Sequence, residues 1–222
     1  MAGVLVVAPH ADDETYGCGG TLLRDRREGR DIHWLIVTTP SQADGYSAEA
    51  VRRRRDEIEK AAAFYEFAGV HKLDFPPAGL DRVARAELVA AFAGVVREVE
   101  PEILYLPFPG DAHSDHRAVF EAGSACAKSF RHPSVRSVRL YETPSETDFG
   151  IDPTQAPFRP NLFVDISDEI ERKVEALGLY PGECAAHPFP RSAAAVRALA
   201  TLRGAAAGVA AAEGFMLLRE VR

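Results

Sequence analysis

Length, composition and charge already exclude several classes of protein. The chain has 222 residues, 46% hydrophobic and 27% charged, which supplies enough apolar material for one buried core and predicts a single domain, 1–222. Its 26 basic and 33 acidic residues give a net charge of −7, and the bases are mixed with acids, which argues against a nucleic-acid partner. No apolar stretch reaches the ~20 residues that span a bilayer, so we expect no membrane partner.

The N-terminal segment and the cysteines indicate the cytosol. The first apolar run has no basic residues before it and carboxylates soon after it, unlike a signal peptide. Cys18, Cys126 and Cys184 are isolated and odd in number, which excludes a disulfide framework and is typical of reduced thiols. We therefore expect a cytoplasmic protein.

Strand and helix patterns alternate along the chain. Continuous apolar or β-branched runs predict strands at 4–8, 32–38, 71–75, 103–106, 135–141 and 161–166. Helical patterns are found at 21–30, 48–67, 82–99, 115–128, 168–177 and 191–212. This order predicts an α/β fold, a Rossmann-like three-layer α/β/α arrangement with a mostly parallel sheet. The Pro-, Thr- and Asp-rich segment 142–160 predicts a long loop over a site.

A first polar cluster, His10-Ala11-Asp12-Asp13-Glu14, directly follows the first predicted strand. Loops that leave the carboxyl ends of strands line the ligand crevice of an open α/β sheet. His10 and Asp13 are separated by two residues, a spacing that lets both face one metal ion. An acidic helix start would explain Asp12 or Glu14 alone. Three carboxylates beside an imidazole repel one another unless a cation or a proton compensates them, which favours a site.

A second polar cluster, Asp111-Ala112-His113-Ser114-Asp115-His116, follows the predicted strand 103–106. Both clusters leave the same edge of a parallel sheet, so they can converge. His10, Asp13 and His116 would together offer the nitrogen and oxygen donors that zinc accepts, with positions left open for water and substrate, as in a catalytic zinc site. Asp12 would then stay unligated and serve as the general base toward water.

The two clusters resemble the signatures of a known family. Residues 10–14 resemble A-H-P-D-D-E, and residues 111–117 resemble D-x-H-P-D-H-R, of the LmbE-like or PIG-L deacetylases, zinc enzymes that remove acetyl groups from N-acetylglucosamine-type amino sugars. The resemblance covers nearly the whole chain, including Arg-x-x-Glu at 54–57 and a C-terminal helix ending in Glu213-Gly214-Phe215. Two family prolines are shifted or replaced, whereas the ligand positions are intact.

The resemblance implies a role for each of these positions. The zinc ligands and the base correspond to His10, Asp13, His116 and Asp12. His113 corresponds to the residue that stabilises the tetrahedral oxyanion or protonates the leaving amine. Asp115, or alternatively Asp111, would orient its imidazole and keep it cationic. Arg54 resembles a family arginine that reaches substrate hydroxyls or phosphate, although charge pairing within the helix is typical of a run such as 52–55.

Three further features are weaker candidates. Glu142 ends a predicted strand at the active edge, where it would contact sugar hydroxyls or simply end the strand. His187 is a candidate substrate contact from the C-terminal region. Gly17-Cys18-Gly19-Gly20 lacks the G-x-G-x-x-G of a dinucleotide loop, so close helix packing is the favoured interpretation.

The predicted function is zinc-dependent hydrolysis of the N-acetyl group of an N-acetylglucosamine-type amino sugar or its conjugate, with acetate and a free amine as products. Iron(II) or cobalt can substitute for zinc, because a site with these ligands discriminates weakly among such metal ions by affinity. The expected partner is a small amino-sugar substrate, and a homo-oligomer is an open alternative to a monomer. Two other functions stay open: an N-deacylase for a non-sugar or glycopeptide-type metabolite, and a non-catalytic sugar-binding module.

Overall fold

One seven-stranded sheet organises residues 3–222, the part of the chain that the computed structural model describes. The strands are β1 (Val4–Ala8), β2 (Ile32–Thr38), β3 (Gly69–Phe75), β4 (Ile103–Pro107), β5 (Ser137–Tyr141), β6 (Leu162–Asp165) and β7 (Ala212–Glu220). Their order is β3-β2-β1-β4-β5-β7-β6, in which β7 runs antiparallel to both its neighbours and the other pairs are parallel. The predicted Rossmann-like α/β fold is confirmed.

Helices cover both faces of the sheet. They are α1 (Asp13–Arg27), α2 (Ala48–Tyr65), α3 (Arg85–Val99), α4 (Ser114–Cys126), α5 (Ile170–Ala176) and α6 (Ala193–Ala207). Side chains of a strand alternate between faces, so Val6 belongs to a core cluster with Leu22 and Ile58, whereas Leu5 belongs to a cluster with Phe92. Among residues 3–222, none of the helices has the length and apolar content needed to cross a membrane.

Helix α1 begins eight residues earlier than the predicted start at Thr21. Glycines weaken a helical pattern, and three of them lie in this stretch. Their purpose is close packing, since a Cβ atom at Gly17 would lie 2.3 Å from Cδ2 of the Tyr141 ring. This contact accounts for the glycine run without a nucleotide.

The prediction that a helix extends to residue 212 and ends in Glu213-Gly214-Phe215 is wrong. Helix α6 ends at Ala207, Gly208 follows with φ 74° as its left-handed cap, and the chain returns as strand β7. Strand β7 lies between β5 and β6 and pairs with both. Pairing on both sides is a tertiary effect that outweighs local propensity, so Glu213-Gly214-Phe215 lies in a strand.

Strands β1 and β4 are neighbours at the centre of the sheet, with Val6 paired to Tyr105. Chain connections run outward from here in opposite directions, to β2 and β3 on one side and to β5 on the other. Such a switch point opens a crevice at the carboxyl ends of the strands. The two polar clusters that follow β1 and β4 therefore meet in this crevice.

Candidate active site

Two histidines converge on one buried carboxylate at this switch point. Asp13, the first residue of α1, places Oδ2 3.3 Å from Nδ1 of His10 and 3.4 Å from Nε2 of His116. One potential ligand atom from each of the three residues lies within 4.8 Å of the others. The structure thus brings the predicted ligand set together.

A further carboxylate orients each of these imidazoles from behind. Nε2 of His10 donates to Oδ2 of Asp115 at 3.0 Å, and Nδ1 of His116 donates to Oδ2 of Asp111 at 2.7 Å. The other ring nitrogens, Nδ1 of His10 and Nε2 of His116, are therefore directed toward Asp13. Metal-binding histidines are commonly fixed in this way, because the carboxylate selects the tautomer and raises the basicity of the free nitrogen.

The cluster fits a divalent cation. Nε2 of His116 and Oδ1 of Asp13 are buried and have no hydrogen-bond partner among residues 3–222. Such an arrangement costs free energy unless something compensates it. Burial alone would lower the pKa of His116, but Asp13 and Asp111 outweigh it and raise that pKa to about 10. This negative potential, with two nitrogen donors and a carboxylate, matches what zinc and related ions bind.

Asp12 is set apart from its neighbour Asp13. Its backbone stands at φ 153° before α1, and its N–H donates to Oε2 of Glu14 at 3.0 Å. Its Oδ2 accepts a hydrogen bond from Nη1 of Arg191 at 2.9 Å, while its Oδ1 is buried and has no partner in the part of the chain that the structure describes. Burial and the nearby Asp13 raise the pKa of Asp12 to about 7, in the range that suits a general base at neutral pH.

His113 lies beside these groups as the N-cap residue of α4. Its Nδ1 accepts a hydrogen bond from the backbone N–H of Asp115 at 3.1 Å, which leaves Nε2 as the nitrogen that carries a proton. Burial and the nearby His10 lower the pKa of His113, which favours the neutral ring over the cationic one that the resemblance implied. A neutral imidazole with a free N–H is a hydrogen-bond donor.

The carboxylate of Asp115 has partners other than the predicted one. It lies 3.9 Å from Nδ1 of His113 but accepts hydrogen bonds from His10 and from the backbone N–H groups of Ala78 and Leu80. The alternative orienting residue, Asp111, likewise holds His116. Asp115 and Asp111 therefore orient His10 and His116, and Asp115 contacts His113 through its backbone.

A cavity of about 620 Å³ opens directly above this cluster. His10, Asp12 and His113 are among the residues that line it. The rest of its wall includes polar and aromatic side chains from four loops and helices, among them Tyr46, Arg53, Arg54, Ser145, Glu146, Glu183, Phe189 and Arg191. The volume falls within the ~300–1,000 Å³ typical of small-molecule sites.

The predicted substrate contacts fall in different places. Arg54 lines the cavity and donates to the carbonyl oxygen of Ala11, so one member of the arginine run turns inward. Glu142 is buried in a two-pronged ion pair with Arg203, and His187 is exposed; neither is among the residues that line the cavity.

Sequence reasoning missed charged residues of the cavity wall, among them Arg191 and Glu183 of the C-terminal region. Arg191 contacts Asp12, and Glu183 accepts a hydrogen bond from Nη2 of Arg54 at 2.7 Å. Each is a single charged residue in an irregular C-terminal segment, a pattern that carries no signal of a site. Only the fold shows that these two residues belong to the site, because it brings residues 180–191 back to the edge of the sheet where β1 ends.

Fold and site together define the class of an α/β hydrolytic enzyme with a metal-type centre at the switch point of its sheet. Residues 5–127 match the family described as PIG-L: GlcNAc-PI de-N-acetylase, and the chain belongs to this family. Membership confirms the prediction of a hydrolase that acts on N-acetyl amide bonds.

Individual relatives agree with this placement. A diacetylchitobiose deacetylase of Thermococcus kodakarensis is 30% identical over 192 residues, covering 78% of this chain and 67% of its own length. A probable N-acetyl-alpha-D-glucosaminyl L-malate deacetylase 2 of Bacillus anthracis is 23% identical, covering 82% and 81% respectively. The crystal structure of a conserved protein from Thermus thermophilus is 27% identical, with a TM-score of 0.80 over 100% of this chain and 97% of that one.

Proposed function

We propose that the protein hydrolyses the N-acetyl group of an N-acetylglucosamine-type amino sugar or its conjugate in a zinc-dependent reaction. The observation that carries the proposal is that a cluster of metal-type donor atoms lies directly beside a carboxylate with a free oxygen. Carboxylate-oriented nitrogens of His10 and His116 meet Asp13, and beside them Asp12 keeps a buried, unpartnered oxygen. Amide hydrolysis needs both a site for a cation and a base next to it.

The metal would be held by Nδ1 of His10, a carboxylate oxygen of Asp13 and Nε2 of His116. When bound there, zinc lowers the pKa of a water toward ~7 and polarises an amide carbonyl. Iron(II) or cobalt suits the same donors, because nitrogen and oxygen ligands do not select strongly among these ions.

Asp12 and His113 divide the remaining chemistry. Oδ1 of Asp12 is the free oxygen that accepts the proton of the attacking water, and the protonated Asp12 can return it to the leaving amine. Nε2 of His113 is free to donate a hydrogen bond to the former carbonyl oxygen, because Nδ1 already accepts one from the backbone. A neutral imidazole is sufficient for this role, since the contact is a hydrogen bond to the oxygen and no proton has to be transferred.

The cavity wall matches a substrate rich in hydroxyl groups. Arg54 and Glu183 offer hydrogen-bonding groups, and Tyr46 and Phe189 offer apolar faces of the kind on which sugar rings pack. Arg54 remains the proposed substrate contact from the family pattern. A cytoplasmic location and a homo-oligomer stay predictions.

The direct test is acetate release from N-acetylglucosamine, N,N′-diacetylchitobiose and a non-sugar N-acetyl amine. Removal of metal with a chelator should abolish release from the sugars, and added zinc should restore it. His116→Ala should lose both metal and activity, whereas His132→Ala, a change at a buried histidine outside the cavity wall, should keep both. Release from the non-sugar amine alone would overturn the amino-sugar assignment and favour the other N-deacylase.

A further inference from the structure

We propose that Arg191 is a positioning residue that fixes the carboxylate of Asp12 so that Oδ1, and not Oδ2, takes the proton of the attacking water. The inference rests on the proposed function, because that function gives Asp12 the role of base. It assigns a task to a side chain that lies 179 residues away from Asp12 along the sequence.

The contact makes the two oxygens of Asp12 unequal. Nη1 of Arg191 donates to Oδ2 at 2.9 Å, and the side chains are only 12% and 4% exposed. Within residues 3–222 this is the one hydrogen bond that the carboxylate of Asp12 receives, and Oδ1 is left buried and free. Charge-assisted hydrogen bonds of this kind are stronger than neutral ones, so one bond suffices to select a carboxylate orientation.

Arg191 is itself held from several sides. Its guanidinium group lies 4.9 Å from the centre of the Tyr16 ring, and its Nε donates to Oγ of Ser145 at 2.8 Å. Its Nη2 lies 3.4 Å from Oε1 of Glu146, and its Nη1 lies 3.6 Å from Oε2 of Glu183. A side chain with this many partners has little rotational freedom to lose, and can therefore impose its own position on Asp12.

The same contacts join the base to the cavity wall. Ser145 and Glu146 line the cavity together with Asp12, and Arg191 touches all three. A planar guanidinium fork is needed to reach these groups at once, whereas the point charge of a lysine can serve one of them well. The nature of the side chain, and not only its charge, should therefore matter.

The test compares Arg191→Met and Arg191→Lys with wild type, using acetate release from the N-acetyl sugar that wild type hydrolyses. Arg191→Met should lower kcat by about 10–100-fold with KM and zinc content unchanged, the size of effect expected when an orienting partner is lost. Arg191→Lys should fall between the two, and guanidinium ion added to Arg191→Ala should restore part of kcat. Arg30→Met, which removes a partly buried ion pair with Asp25 outside the cavity, is the matched control and should leave kcat unchanged.

A crystal structure of Arg191→Met supplies a readout that does not depend on turnover. The carboxylate of Asp12 should be rotated or doubly oriented in the variant. The inference is overturned if kcat of Arg191→Met matches wild type, if only KM changes, or if neither lysine nor guanidinium ion restores any activity. If wild type hydrolyses no N-acetyl sugar, the proposed function fails, and an unchanged Asp12 in the variant structure would separately overturn the positioning role.

Discussion

Asp111 should set the affinity for metal although it is not a ligand. Its Oδ2 accepts a hydrogen bond from Nδ1 of His116 at 2.7 Å, and Asp111 and His116 are 2% and 1% exposed. Asp111→Asn keeps the shape but removes the charge that makes Nε2 of His116 a better donor. Loss of such a partner lowers metal affinity by about 10–100-fold, which corresponds to about 1.4–2.8 kcal/mol of binding free energy.

Competition for zinc with a chromophoric chelator measures this change. Thr147→Val is the matched control, because Thr147 donates to the other oxygen of Asp111 at 2.7 Å and the contact with His116 survives its removal. The control should lose less affinity than Asp111→Asn. Wild-type affinity in Asp111→Asn, or an equal loss in Thr147→Val, would refute the argument that the carboxylate acts through His116.

Two further predictions concern stability, measured by urea unfolding. Gly17→Ala should lower the free energy of unfolding by about 1–3 kcal/mol, because its Cβ would meet Tyr141. Gly94→Ala, where a Cβ meets nothing within 4 Å among the described residues, should instead raise it by about 0.5–1 kcal/mol by stabilising α3. Equal effects would refute the packing role of Gly17. Burial outweighs Arg30 and raises the pKa of Asp25 to about 6. The folded-state pKa exceeds the unfolded value, so Asp25 should contribute a loss of about 3 kcal/mol as pH rises from ~4 through ~6, seen as the difference between the wild-type and Asp25→Asn profiles. Asp25→Asn should lack this loss; an identical pH profile would contradict it.

The parts of the fold that the sequence predicts best are those governed by local patterns. Strands β1 and β4 are continuous apolar runs, and β2 is apolar except for His33 and Thr38. All three lie within a residue of their predicted bounds. The convergence of the two polar clusters also follows from the sequence, because both come directly after strands of a parallel sheet. Strand β7 could not be predicted in this way, since its pairing with β5 and β6 depends on segments distant in sequence.

The finer arrangement of the site depends on side-chain directions. The family resemblance implies that Asp115 holds the imidazole of His113, but residues two apart at a helix start do not face each other. The carboxylate of Asp115 accepts a hydrogen bond from His10 instead. Arg191 shows the same limit, because nothing in a lone arginine tells which carboxylate it meets. Motifs therefore predict the ligand set, whereas the groups that orient it require the fold.

The division of labour between Asp12 and Asp13 is the centre of the proposed mechanism, and one comparison tests it most directly. Acetate release and zinc content are measured for wild type, Asp12→Asn and Asp13→Asn under the same conditions. Asp12→Asn should keep its zinc and lose about 10²–10⁴-fold in kcat, the usual contribution of a positioned general base, whereas Asp13→Asn should lose zinc. Turnover near the wild-type rate in fully loaded Asp12→Asn would contradict the account.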